Sequence, residues 1–169
     1  MEGEMITFTW ANGQKFELDG TKVLRIRKTI KGFDEDLGNT LLDVNKSEYV
    51  QELPPEVVTA VQAELSTLSS LTQPVGERFW FNAQAASGPM PVGPSKRKDG
   101  ILSAFDIGGK RQYVREPHEE VAALIKAARG DLRPVPDDSI FKNNLEPNQG
   151  FDTEIEEWDA ALNQTTPDV

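Results

Sequence analysis

The sequence predicts an α+β fold: a small antiparallel sheet of about five strands with a covering helix, an inserted helix and extended proline-rich arms. Three observations lead to this prediction. Met5 to Trp10 alternates apolar and polar residues and is followed by Asn12-Gly13, a strong hairpin signal. Ile101 to Arg115 forms a second predicted hairpin, closed by Gly108-Gly109. A helix with one apolar stripe then follows Pro117 and ends near Gly130.

The first hairpin is expected to continue as a three-stranded meander. Lys15 to Leu18 is the second predicted strand, and Thr21 to Ile30 is the third, after a turn at Asp19-Gly20. Arg25 and Arg27 alternate with the apolar residues of the third strand. We therefore expect both arginines to face water.

The middle of the chain is predicted to be an insertion. Pro54-Pro55 begins a helix that is expected to run to Leu71, and Glu77 to Gln84 is a strong strand candidate. The segment 85–100 holds three prolines and three glycines. Because proline and glycine disfavour regular elements, we expect an extended arm there, with neither helix nor central strand. The stripe of the inserted helix consists of Val58, Val61, Leu65 and Leu68.

The predicted organisation is a single core over 1–130, with 31–100 inserted into it. An irregular linker over 131–150 leads to an acidic amphipathic tail over 151–169. Four apolar residues of the tail recur at helical spacing: Phe151, Ile155, Trp158 and Leu162. Such a helix suits docking into a groove on a partner, and packing on its own domain is an equal alternative.

The composition of the chain argues against several classes of function. The 169 residues contain 18 Lys and Arg against 28 Asp and Glu, a net charge of -10. This charge repels nucleic acid and anionic membranes, so we expect neither direct nucleic-acid binding nor membrane association. No cysteine is present, which excludes disulfides and thiolate ligands. Lys96-Arg97-Lys98 is the charge run of the 85–100 arm, and we expect it to be either a solvated loop or a contact to an acidic neighbouring subunit, in preference to a nucleic-acid contact.

Residues for catalysis or metal binding are sparse. His118, the single histidine, lies in the first turn of a predicted helix, where we expect it to be solvated. Asp34, Glu35 and Asp36 are acidic, but they lack the ligand spacing of a calcium loop. No nucleophile elbow or phosphate-binding loop is present. We expect no enzyme activity, cofactor or metal.

Two blocks carry a resemblance to a known family. Met5 to Arg27, MITFTWANGQKFELDGTKVLRIR, resembles the opening of small flagellar proteins of the FlbD/SwrD type and of similar short tailed-phage proteins. Asp106 to Ile125, DIGGKRQYVREPHEEVAALI, resembles their closing hairpin and helix entry. The resemblance implies a small α+β fold and supplies no catalytic residues. In the family these blocks are nearly contiguous, whereas here Lys28 to Lys98 separates them and a tail follows Gly130.

The leading expectation is a non-enzymatic structural or accessory protein of a large assembly, a tailed-phage virion above all. It would bind neighbouring subunits as a homo- or hetero-oligomer, through the 85–100 arm and the tail helix. One alternative is an acidic inhibitor, a phage counter-defence protein that mimics DNA and blocks a basic groove. The other is a flagellar accessory protein. The expected location is the virion, after synthesis in the host cytoplasm, and otherwise the cytoplasm; the acidic N-terminus lacks the features of a signal peptide.

Overall fold

The computed structural model confirms the α+β class. It describes residues 5–34, 38–137 and 155–163. Contacts divide the chain into two compact units, whereas the sequence led us to expect one core over 1–130. Unit 1 comprises residues 1–70 and 78–82, and unit 2 comprises residues 71–77 and 83–169. None of the described helices has the length and apolar character that a bilayer crossing requires.

Unit 1 begins with the predicted hairpin. Strands β1 (Met5–Thr9) and β2 (Lys15–Asp19) pair antiparallel. Trp10 N–H donates to Gln14 O at 2.8 Å, and Gly13, with φ 95°, donates its N–H to Trp10 O at 2.9 Å. Gly13 therefore supplies the left-handed residue that closes a three-residue loop.

The predicted meander is wrong, because the third strand leaves the hairpin. The carboxylate of Asp19 accepts the N–H and hydroxyl of Thr21 and initiates a 3₁₀ turn over Gly20–Lys22 in place of a tight reversal. The next strand joins a separate sheet, whose order is β5-β4-β3-β7-β6. Its members are β3 (Arg25–Lys28), β4 (Thr40–Asp43), β5 (Ser47–Val50), β6 (Leu68–Thr72) and β7 (Arg78–Asn82).

Arg25 and Arg27 are buried, so their predicted exposure is wrong. Each is 1% exposed, and Ile26 between them is 0% exposed, so both faces of β3 are covered. Its two edges pair with β4 and β7. Arg25 binds Asp43 at 2.8 Å, and Arg27 binds Asp34 at 2.8 Å. Each buried guanidinium is thus paired with a carboxylate, as burial of a charge requires.

The inserted helix is shorter than predicted. Helix α1 (Pro54–Glu64) ends well before Leu71, and Leu68 to Leu71 belongs to β6. The serine- and threonine-rich stretch after Leu65 has low helix propensity, and the Thr67 hydroxyl donates to Asn82 at 2.6 Å. The buried residues of the helix are Val57 and Val61, with Val58 partly buried beside them.

Unit 2 contains a second five-stranded sheet, of order β11-β8-β9-β10-β12. The predicted Gly108-Gly109 hairpin is confirmed, with φ values of 60° and 81°. The elements are β8 (Ser87–Met90), α2 (Pro94–Lys98), β9 (Ser103–Ile107), β10 (Lys110–Val114), α3 (His118–Ala127), β11 (Asp131–Leu132) and β12 (Glu156–Glu157).

The segment 85–100 is not an extended arm. β8 lies inside the sheet between β9 and β11, and α2 is a short helix. Pro89 falls where the register of β8 against β9 shifts between Ser87 and Met90, a place where the missing N–H is tolerated. Pro94 occupies the start of α2, where no intrahelical N–H bond is lost.

Gly130 follows α3, near the predicted end of the helix. The left-handed residue is Arg129, with φ 61°, and the Gly130 N–H donates to Ile125 O at 2.9 Å. A Cβ on Gly130 would lie 2.4 Å from the carbonyl oxygen of Ala83. Glycine is therefore required by the close approach of the backbone.

The described part of the tail is not an amphipathic helix. β12 runs parallel to β10, pairing Glu156 with Lys110, and a 3₁₀ turn covers Ala160–Leu162. Asp159 has φ 51°, which interrupts any regular helix. The predicted linker contributes β11 beside β8, and its residues 138–150 lie outside the described residues.

Candidate protein-binding site

The chain contains two repeats of one arrangement of strands and helix, which the sequence did not lead us to expect. The repeats differ in their bounds from units 1 and 2. Repeat 1 (residues 5–65) and repeat 2 (residues 68–129) share the order of two strands, a 3₁₀ turn, three strands and a helix. Strands β1 to β5 of repeat 1 correspond to β6 to β10 of repeat 2, and α1 corresponds to α3; α2 lies only in repeat 2. Matching residues include Thr9, Gly13, Phe16, Tyr49 and Glu52 in repeat 1 and Thr72, Gly76, Phe79, Tyr113 and Glu116 in repeat 2.

The turns of the two repeats have the same geometry. Gly13 has φ 95°, and Gly76 has φ 96°. The Gly13 N–H donates to Trp10 O at 2.9 Å, and the Gly76 N–H donates to Gln73 O at 2.8 Å. These equivalent backbone bonds show that the sequence match reflects a repeated structure.

A glutamate holds the first strand in both repeats. Glu52 accepts the N–H and the hydroxyl of Thr9, both at 3.0 Å. Glu116 accepts the same two groups of Thr72, at 2.9 and 2.7 Å. In each repeat the glutamate precedes the helix, so this contact ties the helix entry to the first strand.

The second strand of repeat 2 lies in unit 1. β7 pairs antiparallel with β3, and Phe79, Trp80 and Phe81 face Arg27, Ile26 and Arg25 in the ladder. The outer edge of β7, the edge turned away from its own hairpin, therefore binds another strand. The equivalent strand of repeat 1 is β2, so its outer edge is a candidate for the same kind of pairing.

Among the described residues, β2 pairs with β1 alone. Hydrogen-bonded and non-bonded pairs alternate along an antiparallel ladder. Because Trp10 bonds to Gln14 across the turn, the backbones of Phe16 and Leu18 bond to β1. The N–H and C=O groups of Glu17 consequently point to the outer edge.

A groove of about 630 Å³ adjoins β2 within unit 1, which is within the usual range for ligand clefts. Its wall includes the stacked rings of Trp10 and Phe16, whose centroids are 4.5 Å apart. The indole N–H of Trp10 donates to Glu48 at 2.6 Å, which fixes the ring. The remaining lining residues are Glu17, Leu18, Asp19, Lys22, Leu24, Val44, Asn45 and Lys46.

In repeat 2 the edge of β8 that matches the β7-paired edge of β3 is covered by the chain itself. β8 is equivalent to β3, and β11 lies beside it in parallel. Asp131 N–H donates to Ala86 O at 2.9 Å, and Arg133 N–H donates to Gly88 O at 2.7 Å. The matching edges of β3 and β8 are thus both paired, by β7 and by β11, whereas among the described residues no strand pairs with the outer edge of β2.

The predicted tail residues pack on unit 2 where they are described. Trp158 donates its backbone N–H to Arg111 O and its indole N–H to Ile107 O, both at 2.9 Å. The Lys110 ammonium lies 4.7 Å from the centroid of the indole ring. Ile155 and Leu162 are half-buried, and Phe151 lies outside the described residues. Of the two alternatives for the tail, these contacts favour packing on its own unit.

The predicted basic run lies on α2. The Lys96 ammonium is 4.9 Å from the centroid of the Tyr113 ring, and Arg97 and Lys98 are exposed. Burial and the negative charge of Glu157 raise the pKa of the Tyr113 phenol to about 12. The run is therefore a partly anchored helix surface on unit 2, on an element separate from the β2 groove of unit 1.

His118 is buried, so its predicted solvation is wrong. It is 8% exposed, and its Nδ1 lies 2.6 Å from Ser103 Oγ. Ser103 itself is fully buried, so its hydroxyl is closed to a substrate. The pair accordingly joins the start of α3 to β9, and nothing in its geometry favours nucleophilic chemistry.

The acidic loop is also part of the fold. Burial raises the pKa of Asp34, but hydrogen bonds from Arg27 and from the Ile30 N–H outweigh this and lower the pKa overall. Asp34 is thus engaged by protein donors, and Glu35 and Asp36 lie outside the described residues. Within residues 5–34, 38–137 and 155–163, no three His, Asp or Glu side chains form a metal-binding group.

Comparison of the chain with family models, curated proteins and solved structures finds no match. The candidate site is consequently defined by geometry. It consists of the outer edge of β2 and the groove beside it.

Proposed function

We propose that this chain is a non-enzymatic structural or accessory protein that binds neighbouring subunits of a large assembly. The observation that supports this is the pairing of β7 with β3, since it provides an internal example of strand addition to a repeat. Among the residues that the structure describes, no strand pairs with the outer edge of the matching strand β2. Strand addition is a common mode of protein recognition, in which main-chain hydrogen bonds give affinity and side chains give specificity.

The proposed route of binding differs from the one expected from the sequence. The segment 85–100 and the described tail residues are packed within unit 2. We therefore assign the binding of neighbouring subunits to β2 in place of these segments. As the sequence led us to expect, we propose more specifically that the assembly is a tailed-phage virion. The net charge of -10 favours a protein partner over nucleic acid.

A flagellar accessory role is the second candidate, and the repeat favours it. The segment from Lys28 to Lys98, which separates the two family-like blocks, consists mainly of the rest of repeat 1 and the start of repeat 2. Each repeat therefore has an opening and a closing block close together, as in the small flagellar proteins. Under this proposal the chain carries two such modules in tandem.

The test is co-sedimentation from the native host. The tagged 18.7 kDa chain is expected to sediment with a large particle in a density gradient, and mass spectrometry of that fraction distinguishes virion from flagellar proteins. Retention of the chain in the particle at 1 M salt would support strand pairing. Two results would contradict an assembly role. One is sedimentation at the mass of the free chain. The other is a complex with one basic host protein that dissociates in salt, which would favour the acidic inhibitor.

A further inference from the structure

We infer that the groove beside β2 binds an extended segment of a partner protein, which adds antiparallel to β2 and alternates basic and apolar residues. This inference rests on the proposed function and specifies the partner surface. The occupant is a strand because, within the part of the chain that the structure describes, no strand pairs with the outer edge of β2, whereas its counterpart, β7, binds β3. The antiparallel direction follows from the same counterpart.

The residue opposite the centre of β2 is expected to be basic. In the occupied ladder Trp80 faces Ile26, an apolar pair whose isoleucine is fully buried. The residue of β2 equivalent to Trp80 is Glu17, which is exposed. Because facing side chains in a ladder are in contact, a carboxylate at this place selects a cation where tryptophan selects an apolar side chain.

The flanking positions select apolar residues. Phe16 and Leu18 flank Glu17 and line the groove, and the next residue, Asp19, is acidic. An antiparallel partner therefore presents, from its N-terminus, a basic residue to Asp19, an apolar one to Leu18, a basic one to Glu17 and an apolar one to Phe16. Leu24 and Val44 add further apolar surface to the groove.

The test uses a fluorescently labelled, capped peptide, Thr-Lys-Val-Arg-Val-Glu-Thr, titrated with the full chain and followed by anisotropy. A peptide of the same composition without alternation, Thr-Lys-Arg-Val-Val-Glu-Thr, is the control. We expect the alternating peptide to bind at least tenfold more tightly. Equal affinity of the two peptides would mean simple charge attraction and would overturn the inference.

Two variants locate the peptide on the chain. Glu17→Pro removes an outward N–H and no bond of the β1–β2 ladder, so binding is expected to be lost while circular dichroism stays unchanged. Glu17→Lys is expected to weaken binding at least fivefold, and a peptide with Glu in place of Arg should then bind better than the original. Glu56→Lys makes the same change of charge at an exposed position of α1 and should leave binding unchanged.

Peptide binding that persists in Glu17→Pro, or that falls equally in Glu56→Lys, would place the peptide elsewhere and overturn the inference. These results are independent of the sedimentation test. If wild-type chain and Glu17→Pro enter the particle equally, the assembly role stands and β2 is not its contact. If neither enters, the assembly role itself fails.

Discussion

The carboxylate of Glu52 binds Thr9 through two hydrogen bonds of 3.0 Å, one from the backbone N–H and one from the hydroxyl. Thr9 is 8% exposed, so these bonds are largely shielded from water. The matching bonds between Glu116 and Thr72 make the contact a shared element of both repeats. It ties each helix entry to the first strand of its repeat.

Thr9→Val is expected to lower the free energy of unfolding by about 1 to 2 kcal/mol, since a hydrogen bond to a charged group is lost. Urea unfolding measures the change. Combined with Glu52→Gln, the two losses should be less than additive, because both act on one contact. Thr59→Val, at an exposed position of α1, is the control, with an expected effect within about 0.5 kcal/mol. Full additivity would show that the two side chains are not coupled.

The buried pair of Arg27 and Asp34 should make unit 1 sensitive to acid. Asp34→Asn leaves the guanidinium without its counter-charge, so we expect a loss of about 3 kcal/mol at pH 7. The pKa of Asp34 is lowered in the fold, so its stabilising effect is present above the ordinary carboxyl pKa and is lost as pH falls through the lowered value. Urea midpoints from pH 7 to pH 3 should therefore fall less steeply in Asp34→Asn than in wild type. Equal slopes would contradict this assignment.

Tyr113 should affect stability in alkali. Burial first, and then the charge of Glu157, raise its pKa to about 12, so the unfolded chain loses this proton more readily than the folded one. The contribution to stability is complete below about pH 10 and disappears as pH rises through about 12. Wild type should thus lose about 2 to 3 kcal/mol more than Tyr113→Phe between these limits. The free energy of unfolding in urea would be measured at each pH for both proteins. The same dependence on pH in the two proteins would count against the raised pKa.

Trp158 should hold the described tail on β10. Trp158→Ala removes the indole bond to Ile107 O and the ring beneath Lys110, so amide exchange in β12 should accelerate at least tenfold. Trp158→Phe keeps an aromatic ring but lacks the donor and should give an intermediate rate. Exchange measured by mass spectrometry over peptides 155–163 tests both. An unchanged rate in the alanine variant would show that the tail is held by other contacts.

Elements determined by local signals were predictable from the sequence. The glycine turns at Gly13 and Gly108-Gly109 and the helix after Pro117 are set by residues close in the chain. The burial of Arg25 was not predictable in this way, because it depends on β7, which is distant in the sequence. Period-two alternation predicts one buried and one exposed face. This prediction is wrong for a strand such as β3, which is covered on both faces.

The repeat escaped detection because few of its side chains are identical. Packing conserves size and apolar character more than identity, so Leu18 becomes Phe81 and Val61 becomes Ile125. The residues that identify the repeat are identical in both copies. Gly13 and Gly76 have positive φ, and Glu52 and Glu116 accept the hydrogen bonds of the first strand. The candidate site depended on this repeat, so residue types alone pointed to the tail and the basic run instead.

The position of β7 also has a consequence for synthesis. Unit 1 includes residues 78–82, so a nascent chain that has emerged only to Ser70 lacks the strand that flanks β3. The core around Ile26 is completed only after Asn82 has left the ribosome. The two repeats follow one another in the gene, yet the first domain to be translated is finished by residues translated with the second.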